Sequence, residues 1–428
     1  MDADKHELSP VQLAITGRFV GKRCARFTRF RLVGPAVAVM TIDNTTEPTT
    51  GTDSRASVSR RFILGSIAAT SALASLPTGA FGRQDDAAGD LETIAEFEPP
   101  ALPENLAIDE RGTVYLSMGP SGEIRAVDSE GNQSSVATLD TGDQGLLLGV
   151  TVLDGTLYAA NGSGQRETHG IWRVDPEDGD PERIASLSPD ESMPNGIMPD
   201  PATSDALLVS DHLGGAIWRV TTDGEAEPWV SDPLLEPDMD AQTPVGADGL
   251  AVHPDGDVYV DNLNAGSVMR VPVADDGSAG EVEQVVQDEG LVGADGMTID
   301  EDGTLYVAVN AANEVVRVTD DQEIETLAGG DPLDFPADVH FGTTEETATS
   351  LYIANFAYGT FLEDEAAAEP SLARVDVGTA GYFPETTGET PDTDERDDSA
   401  DDDRSRDHDQ SGDHDRSGDD ANETDDDE

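Results

Sequence analysis

The sequence predicts an all-β fold, a six-bladed β-propeller with four strands in each blade. A unit of about 45 residues recurs six times between residues 83 and 385. Each unit contains short strands in which apolar and polar residues alternate, and several are joined by Asp-Gly turns, as in β-hairpins. Four strands repeated at this period are typical of propeller blades.

The first strand of each unit is short and apolar and follows a polar residue. Taking one residue near each start as equivalent, the successive spacings are 45, 45, 53, 47 and 43 residues. These six residues are Asn105, Val150, Asn195, Asp248, Asp295 and Asp338. The nearly constant spacing indicates structural repeats, and in a propeller such first strands surround a central channel.

Two residue types recur at fixed places in the second and third strands. Tyrosine recurs in the second strands, and we expect these side chains in the core: Tyr115, Tyr158, Tyr259, Tyr306 and Tyr352. Arginine fills one third-strand position in all six units: Arg125, Arg173, Arg219, Arg270, Arg317 and Arg374. Because it recurs in every blade, we predict a structural role, pairing with acidic residues of a neighbouring strand or blade.

The last blade lacks a fourth strand of its own after Val377. Residues 91–95, Leu-Glu-Thr-Ile-Ala, resemble the fourth strand of blade V at 324–328, Ile-Glu-Thr-Leu-Ala. We therefore predict that the N-terminal strand completes blade VI and closes the ring, which leaves no free strand edge between the first and last blades.

The net charge is extreme: 89 acidic and 24 basic residues give −65. Residues 83–390 contribute −54 of this charge. Such a surface excludes binding to nucleic acid or to anionic membranes, which requires basic patches. We interpret it as adaptation to molar salt, where the Debye length is only about 3 Å. Disorder is the alternative for so charged a chain, but regular apolar strands argue against it in the middle.

Residues 1–82 are predicted to be a leader that carries a twin-arginine export signal. Arg60 and Arg61 precede an uncharged segment whose apolar part, 62–76, is shorter than the about 20 residues of a membrane span. Because the arginine pair lies far from residue 1, Met40 is an alternative start. The mature protein is then expected to be extracellular, without a stable membrane anchor; the alternative is that the apolar segment is retained as an anchor. The only cysteine, Cys24, lies in the leader, so the body has no disulfide or thiolate ligand.

Residues 386–428 are predicted to be a disordered acidic tail. This segment is rich in Asp, Ser, Gly, Thr and Arg and has no aromatic residue, so it cannot form a core. The propeller is thus expected to occupy 83–385, as a monomer that takes a small-molecule substrate or ligand.

Short polar side chains at the starts of the first strands are predicted to converge around one mouth of the channel. They are Glu104, Asn105, Asn195, Asp248, Asp295 and Asp338. Carboxylate and amide oxygens suit a hard divalent cation, and calcium takes 6–8 of them. Alternatively, the Asn-Gly and Asp-Gly pairs mark tight turns. Tight turns would explain the glycines. They would not explain why successive blades present acidic side chains at the same level, where the repulsion between the charges has to be offset by a cation or by protons.

Histidine offers a rival mechanism. His212 ends a second strand next to Asp211, and together they could form a base with its orienting acid. Adjacent residues of a strand point to opposite faces, however, so Asp211 is badly placed for this. No nucleophile elbow, nucleotide loop or zinc-protease helix motif occurs.

The body resembles the gluconolactonase, regucalcin and senescence-marker-protein superfamily of six-bladed propellers over about residues 90–380. The resemblance rests on five segments: Pro-Glu-Asn-Leu-Ala-Ile-Asp, Pro-Asn-Gly-Ile, Gly-Ala-Asp-Gly-Leu-Ala-Val, Gly-Ala-Asp-Gly-Met-Thr-Ile-Asp and Leu-Tyr-Ile-Ala-Asn-Phe. One departure lies in blade II, where enzymatic members often place an Asn and this chain has the apolar segment 146–150.

The resemblance implies a site and two alternative functions. It implies a divalent cation, usually calcium, on Glu104, Asn195 and Asp248, with Asp248 as a general base. One function is hydrolysis of lactones or esters, with the cation polarising the carbonyl. The other is a non-catalytic propeller that binds a ligand or partner and uses calcium structurally.

Overall fold

The computed structural model describes residues 89–319 and 321–384. Its 24 strands form six four-stranded antiparallel sheets, so the predicted six-bladed β-propeller is confirmed. The leader 1–82, with its export signal, Met40 and Cys24, and the tail 386–428 lie outside the described residues and remain predictions. No helix in the described part is long and apolar enough to cross a membrane.

Each blade is a meander of four strands, counted from the channel outward. Blade I contains β2 (Pro103–Ile108), β3 (Val114–Met118), β4 (Glu123–Val127) and β5 (Gln133–Thr138). Blade II contains β6 (Leu146–Leu153), β7 (Thr156–Gly162), β8 (Gly170–Val174) and β9 (Pro181–Ser186). Blade III contains β10 (Pro194–Pro199), β11 (Ala206–Asp211), β12 (Ala216–Thr221) and β13 (Ala226–Ser231).

The remaining blades follow the same order. Blade IV contains β14 (Ala247–Val252), β15 (Val258–Asn262), β16 (Ser267–Val271) and β17 (Glu283–Gln287). Blade V contains β18 (Ala294–Ile299), β19 (Leu305–Val309), β20 (Glu314–Val318) and β21 (Ile324–Gly329). Blade VI contains β22 (Pro336–Phe341), β23 (Ser350–Asn355), β24 (Ser371–Asp376) and β1 (Glu92–Glu96). The one α-helix of the described residues is α1 (Tyr358–Glu363), between β23 and β24.

Strand β1 closes the ring as predicted. It pairs antiparallel with β24, with Glu92 opposite Arg374 and Glu96 opposite Ser371. A salt bridge of 2.8 Å joins Arg374 to Glu92 across this pair. The outermost strand of the last blade therefore comes from the other end of the body.

The core lies between the blades. Six apolar clusters each join two successive blades, and the cluster between blades VI and I includes Ala95 of β1. The five recurring tyrosines are 2–9% exposed, which confirms them as core residues. Because each blade buries its faces only against its neighbours, closure of the ring completes the core.

The recurring arginines form ion pairs on the outer strands. Arg173 contacts Glu182 at 2.5 Å and Arg317 contacts Glu325 at 2.6 Å, each across a pair of neighbouring strands. Arg125 differs, because its partner at 2.5 Å is Glu123 on the same strand. The predicted pairing with acidic side chains of other segments is confirmed for five of the six arginines, and exposed pairs of this kind contribute only about 0–1 kcal/mol each.

The six first strands contact one another in a closed ring around the channel. Each has a register shift near its start, where it pairs with the second strand of its blade. Such a β-bulge leaves residues unpaired and redirects their side chains. The bulges all lie at the same end of the channel, which we call the mouth.

Candidate functional site

The bulges define six equivalent positions, one in each blade, which we call the mouth ring. In every blade the position directly follows the last residue paired before the bulge. The ring consists of Glu104, Leu148, Asn195, Asp248, Asp295 and Ala337. The ring is therefore polar in blades I, III, IV and V and apolar in blades II and VI.

This alignment corrects the predicted phase of three blades. Asn105 and Asp338 lie one residue beyond the ring position, and Val150 lies two beyond it. The unpaired residues of a bulge shift the register, and spacing along a sequence does not reveal where they lie.

The glycines that follow the ring residues permit close packing of the first strands. A Cβ added to Gly149, Gly196 or Gly249 would lie 2.1–2.4 Å from the carbonyl oxygen of the ring residue in the next blade. A Cβ on Gly296 would lie 2.0 Å from Asp338 Oδ1. None of these glycines has a positive φ. The suggested tight turns are therefore incorrect: the glycines lie within strands, and it is the space beside the next blade that requires them.

Asp248 is held on one of its two carboxylate oxygens. Its Oδ1 lies 2.6 Å from Asn195 Nδ2, which donates to it, and 3.0 Å from His212 Nε2. His212 Nε2 also lies 2.6 Å from Asn195 Nδ2. With Nε2 protonated, His212 donates to Asp248; with Nε2 unprotonated, it accepts from Asn195. Asp248 Oδ2 is buried and has no hydrogen-bond partner.

The expectation that Asp211 does not orient His212 agrees with the contacts. Asp211 is buried and accepts hydrogen bonds from Met193 N at 2.8 Å, Gly214 N at 2.9 Å and Trp218 Nε1 at 3.0 Å. It fastens the loop after β11. This loop in turn carries His212 to the mouth, where the imidazole meets the acid of blade IV instead.

Five carboxyl groups gather at the mouth: Glu104, Asp248, Asp261, Asp295 and Asp338, all of them at most 9% exposed. Burial raises the pKa of Glu104 well above its usual range, with Asp248 and then Asp338 adding to the effect. Burial and the charge of Asp248 likewise raise the pKa of Asp295. Burial raises the pKa of Asp338 to about 7, although Leu106 N and Val339 N donate to it.

The three additional mouth candidates differ in their partners. Asp295 Oδ2 accepts from Asn310 Nδ2 at 2.9 Å. Asp338 Oδ2 accepts from Leu106 N of blade I at 3.0 Å, so it links the last blade to the first. Asn105 Oδ1 accepts from Val150 N at 3.0 Å and links blade I to blade II. Asn105 and Asp338 thus join first strands as well as lining the mouth.

Asp261 was not identified from the sequence. It lies on β15, behind the mouth ring, and is 0% exposed. The other blades have Ser or Ala at its position: Ser117, Ala160, Ser210, Ala308 and Ala354. Comparing the second strands position by position, Val-Tyr-Val-Asp against Leu-Tyr-Val-Ala, would have marked this acid as unusual.

The oxygen atoms of the mouth are of the kind that a divalent cation binds. Glu104 Oε2, Asn195 Oδ1, Asp248 Oδ2 and Asp261 Oδ2 are buried oxygens without a hydrogen-bond partner. Buried acceptors of this kind are costly unless a cation, a proton or a donor satisfies them. Within residues 89–319 and 321–384, no group of three or more His, Cys, Asp or Glu side chains is arranged to hold an ion in this conformation. The Glu104, Asn195 and Asp248 set has two such side chains and one amide.

A cavity of about 650 Å³ lies at the opposite end of the propeller. It is lined by Val252 at the end of β14 and by Tyr382 and Phe383. Its only titratable carboxyl group is that of Glu301. The mouth, with its five buried carboxyl groups, lies about four residues of extended strand, or ~13 Å, from this cavity.

No protein-family model matches the chain, and no curated protein matches it either. Solved structures do. A luciferin-regenerating enzyme is 17% identical, with a TM-score of 0.53 over 69% of this chain and 98% of that one. A candidate gluconolactonase is 17% identical, with a TM-score of 0.52 over 70% and 95%. The calcium-binding protein regucalcin from Agrobacterium tumefaciens is 19% identical, with a TM-score of 0.52 over 69% and 96%.

These similarities confirm the predicted resemblance at the level of the fold. The chain has the six-bladed propeller of gluconolactonase-type and regucalcin-type structures, covered almost from end to end. Identities below 20% leave the chemistry of the site to be argued from its own residues.

Proposed function

We propose that this protein is a metal-dependent hydrolase of uncharged lactones or esters, acting at the mouth of its propeller. The observation that carries the proposal is the geometry of Asp248. Asn195 and His212 hold its Oδ1, while its Oδ2 is buried and has no hydrogen-bond partner. A carboxylate fixed on one oxygen and free on the other is suited to accept a proton.

Glu104, Asn195 and Asp248 would hold the cation, for which calcium is the best match to an all-oxygen set. Once bound there, it would supply Lewis-acid polarisation of the carbonyl. Asp248 takes the proton of the attacking water as the water oxygen bonds to the carbonyl carbon. The bond from that carbon to the ring oxygen breaks, and the ring oxygen receives the proton, which yields a hydroxy acid.

A non-catalytic propeller with a structural calcium is the second candidate. It is favoured by the apolar position of blade II, where Leu148 supplies no polar group to the ring. In that case the same oxygens would stabilise the closed ring, and the mouth would bind a ligand without converting it.

Metal analysis and hydrolysis assays separate the two candidates. Protein purified in molar salt is expected to contain one divalent cation per chain and to hydrolyse lactones. Glu104→Gln and Asp248→Asn should reduce kcat/KM by at least about 100-fold. The control is Asp302→Asn, which changes an exposed acid in a turn at the far end of blade V.

The outcomes are distinct. Bound cation without turnover on a panel of lactones and esters would favour the non-catalytic propeller. Protein that binds no cation would contradict both candidates.

We also propose that the mature protein works outside the cell as a monomer, in molar salt. The support is the Arg60-Arg61 motif, the absence of lysine beyond Lys22 and the acidic body. Export is tested by replacing both arginines by Lys, which should retain the protein in the cytoplasm. The monomeric state is tested by sedimentation in molar salt, which should give the mass of a single chain. Unchanged export or a stable dimer would contradict this.

A further inference from the structure

Blade VI carries a cluster of aromatic side chains on the mouth side, which we call the aromatic wall. It consists of Phe335, Phe356, Tyr358 and Phe361. The rings of Phe356 and Tyr358 stack with centroids 4.9 Å apart and an angle of 6° between planes. Tyr358 and Phe361 follow at 6.3 Å. Phe356 is buried, whereas the other three are only half-buried and so present ring surface to a ligand.

The wall is built on a connection that is unusually long for this propeller. The link from the second to the third strand has four residues in blades I, III, IV and V and seven in blade II. In blade VI it runs from 356 to 370 and contains α1. The strand directions place these links at the mouth. Long loops on a rigid scaffold are where binding residues concentrate.

The wall adjoins the candidate site directly. Phe356 forms a buried cluster with Leu102 and Ala337. Leu102 lies two residues before Glu104, and Ala337 is the ring position of blade VI, next to Asp338. Phe356 also reaches blade I, where a Cβ on Gly119 would lie 3.2 Å from its Cε2. The buried base of the aromatic wall therefore packs against residues that lie one and two positions from Asp338 and Glu104.

The wall is held in a fixed conformation. Phe335 and Ala357 have positive φ values of 55° and 54°, which non-glycine residues adopt only at a cost of about 1–3 kcal/mol. Hydrogen bonds maintain both: Phe335 N donates to Asn313 Oδ1 at 2.8 Å, and Ala357 N donates to Asp334 O at 2.8 Å. Asn355 Nδ2 fastens the same two segments through Pro332 O and Glu369 O.

The charge of the mouth limits what can lie against this wall. None of the arginine ion pairs among the described residues involves one of the five mouth carboxyls. An anionic ligand would therefore meet carboxyl groups whose charge no arginine pair offsets. An uncharged ligand with a flat apolar group avoids this repulsion and finds stacking partners.

We propose that the mouth binds uncharged lactones that carry an aryl substituent, with the aryl group against Tyr358 and Phe361 and the lactone carbonyl toward Asp248. This substrate class rests on the proposed hydrolase function. The hydroxy acid product carries a negative charge at neutral pH, so the acidic mouth favours its release.

The test compares lactones that differ only in the substituent. γ-Phenyl-γ-butyrolactone should have a KM about tenfold lower than γ-butyrolactone, since a stacking contact contributes about 1.4 kcal/mol. D-Glucono-δ-lactone, which is uncharged but polyhydroxylated, should gain no such advantage. Tyr358→Leu and Phe361→Leu should each abolish most of the preference for the phenyl compound.

Two controls keep the result interpretable. Phe383→Leu removes another exposed aromatic ring, at the opposite end of the channel, and should leave the preference unchanged. Tyr358→Phe keeps the ring and should retain it. If a Leu variant fails to fold, two milder variants are compared instead. Tyr358→Phe keeps its ring and should keep the preference for the phenyl compound, whereas Phe361→Met loses a ring and should lose most of it.

Binding separates this inference from the hydrolase proposal. Ligand-observed NMR of γ-phenyl-γ-butyrolactone with cation-loaded protein should show saturation transfer to the phenyl protons, lost in Tyr358→Leu. Binding of the phenyl compound without hydrolysis would support the aryl-binding site and contradict the proposed hydrolase function. Hydrolysis without phenyl preference, or a preference that survives both Leu replacements, would overturn the aryl site and keep the hydrolase.

Discussion

Asp261 shows how one residue can depart from a repeated pattern. Its Oδ1 accepts from Gly249 N at 3.2 Å, and its Oδ2 is buried without a partner. Burial raises the pKa of Asp261 well above its usual range, and the charge of Asp248 raises it further. A charged Asp261 therefore destabilises the cation-free protein, and a cation at the mouth offsets that cost.

Replacing Asp261 by Asn tests this account. The amide keeps the acceptor for Gly249 N and removes the buried negative charge that lies close to Asp248. We expect Asp261→Asn to stabilise the cation-free protein at pH 8 by about 1–3 kcal/mol, the usual cost of an unsatisfied buried group. Isothermal calorimetry should show weaker binding of the cation by the variant.

The matched control is another buried acid, Asp300, whose oxygens already accept from Thr304 N at 2.9 Å and Tyr306 Oη at 3.1 Å. Asp300→Asn should leave stability unchanged or lower it. Equal stabilisation by both replacements would show that charge reduction alone, and not the environment of Asp261, is responsible.

At the scale of the elements, β1 decides whether the ring is closed. It covers the outer edge of β24, and its Ala95 belongs to the apolar cluster between blades VI and I. Without β1 the edge of β24 would expose unpaired backbone groups, and the last inter-blade cluster would lose part of its cover.

Deleting residues 90–97 is therefore expected to abolish cooperative folding. Circular dichroism and thermal unfolding in molar salt measure whether the shortened protein folds cooperatively. The control is deletion of residues 421–428, which is equal in length and should have no effect on folding. A stable, soluble product of the first deletion would refute closure by β1.

The elements were predictable because each strand carries its own signal. Alternating residues and Asp-Gly turns marked nearly all the strands, and the likeness of 91–95 to 324–328 marked the closing strand. The ring positions in blades I, II and VI were misplaced, because a bulge is set by pairing and not by residue type. His212 was considered with the wrong partner: its contact with Asp248 joins two blades, and only the folded ring brings it about.

At the scale of the whole molecule, the charge falls into two populations. Most of the −54 of residues 83–390 is carried by surface acids, which salt screens. The mouth carboxyls are buried and escape that screening. Salt and pH should therefore act on different parts of the protein.

The stability of the cation-free protein should fall as pH rises. Asp338 has a folded-state pKa of about 7 against an ordinary value of 3.8. Its protonated form is favoured by folding, so this stabilisation is complete below pH about 4 and is lost as pH rises through about 7. The raised pKa values of Glu104, Asp261 and Asp295 act in the same direction.

Buried His169 sets the lowest pH at which the effect of the carboxyl groups on stability can be measured by itself. Burial lowers its pKa to about 4, so it opposes the carboxyl effect below its ordinary value of 6.5. Thermal unfolding in molar salt should thus be compared at pH 6.5 and 8.5. With a chelator we expect a lower Tm at pH 8.5, and with calcium a much smaller difference. A Tm that rises with pH in the chelator would contradict the burial of these acids.

The bulges at the start of the six first strands separate how a blade folds from what it displays. Strand pairing within a blade is set by residues on either side of the bulge, so a change of the ring side chain leaves that pairing intact. The mouth ring thus offers six positions at which side chains can face the channel, and two of them are apolar in this chain, Leu148 and Ala337. Leu148 belongs to none of the apolar clusters of the described residues, so it is the position at which a polar side chain can be introduced with least disturbance, whereas Ala337 packs against Leu102 and Phe356.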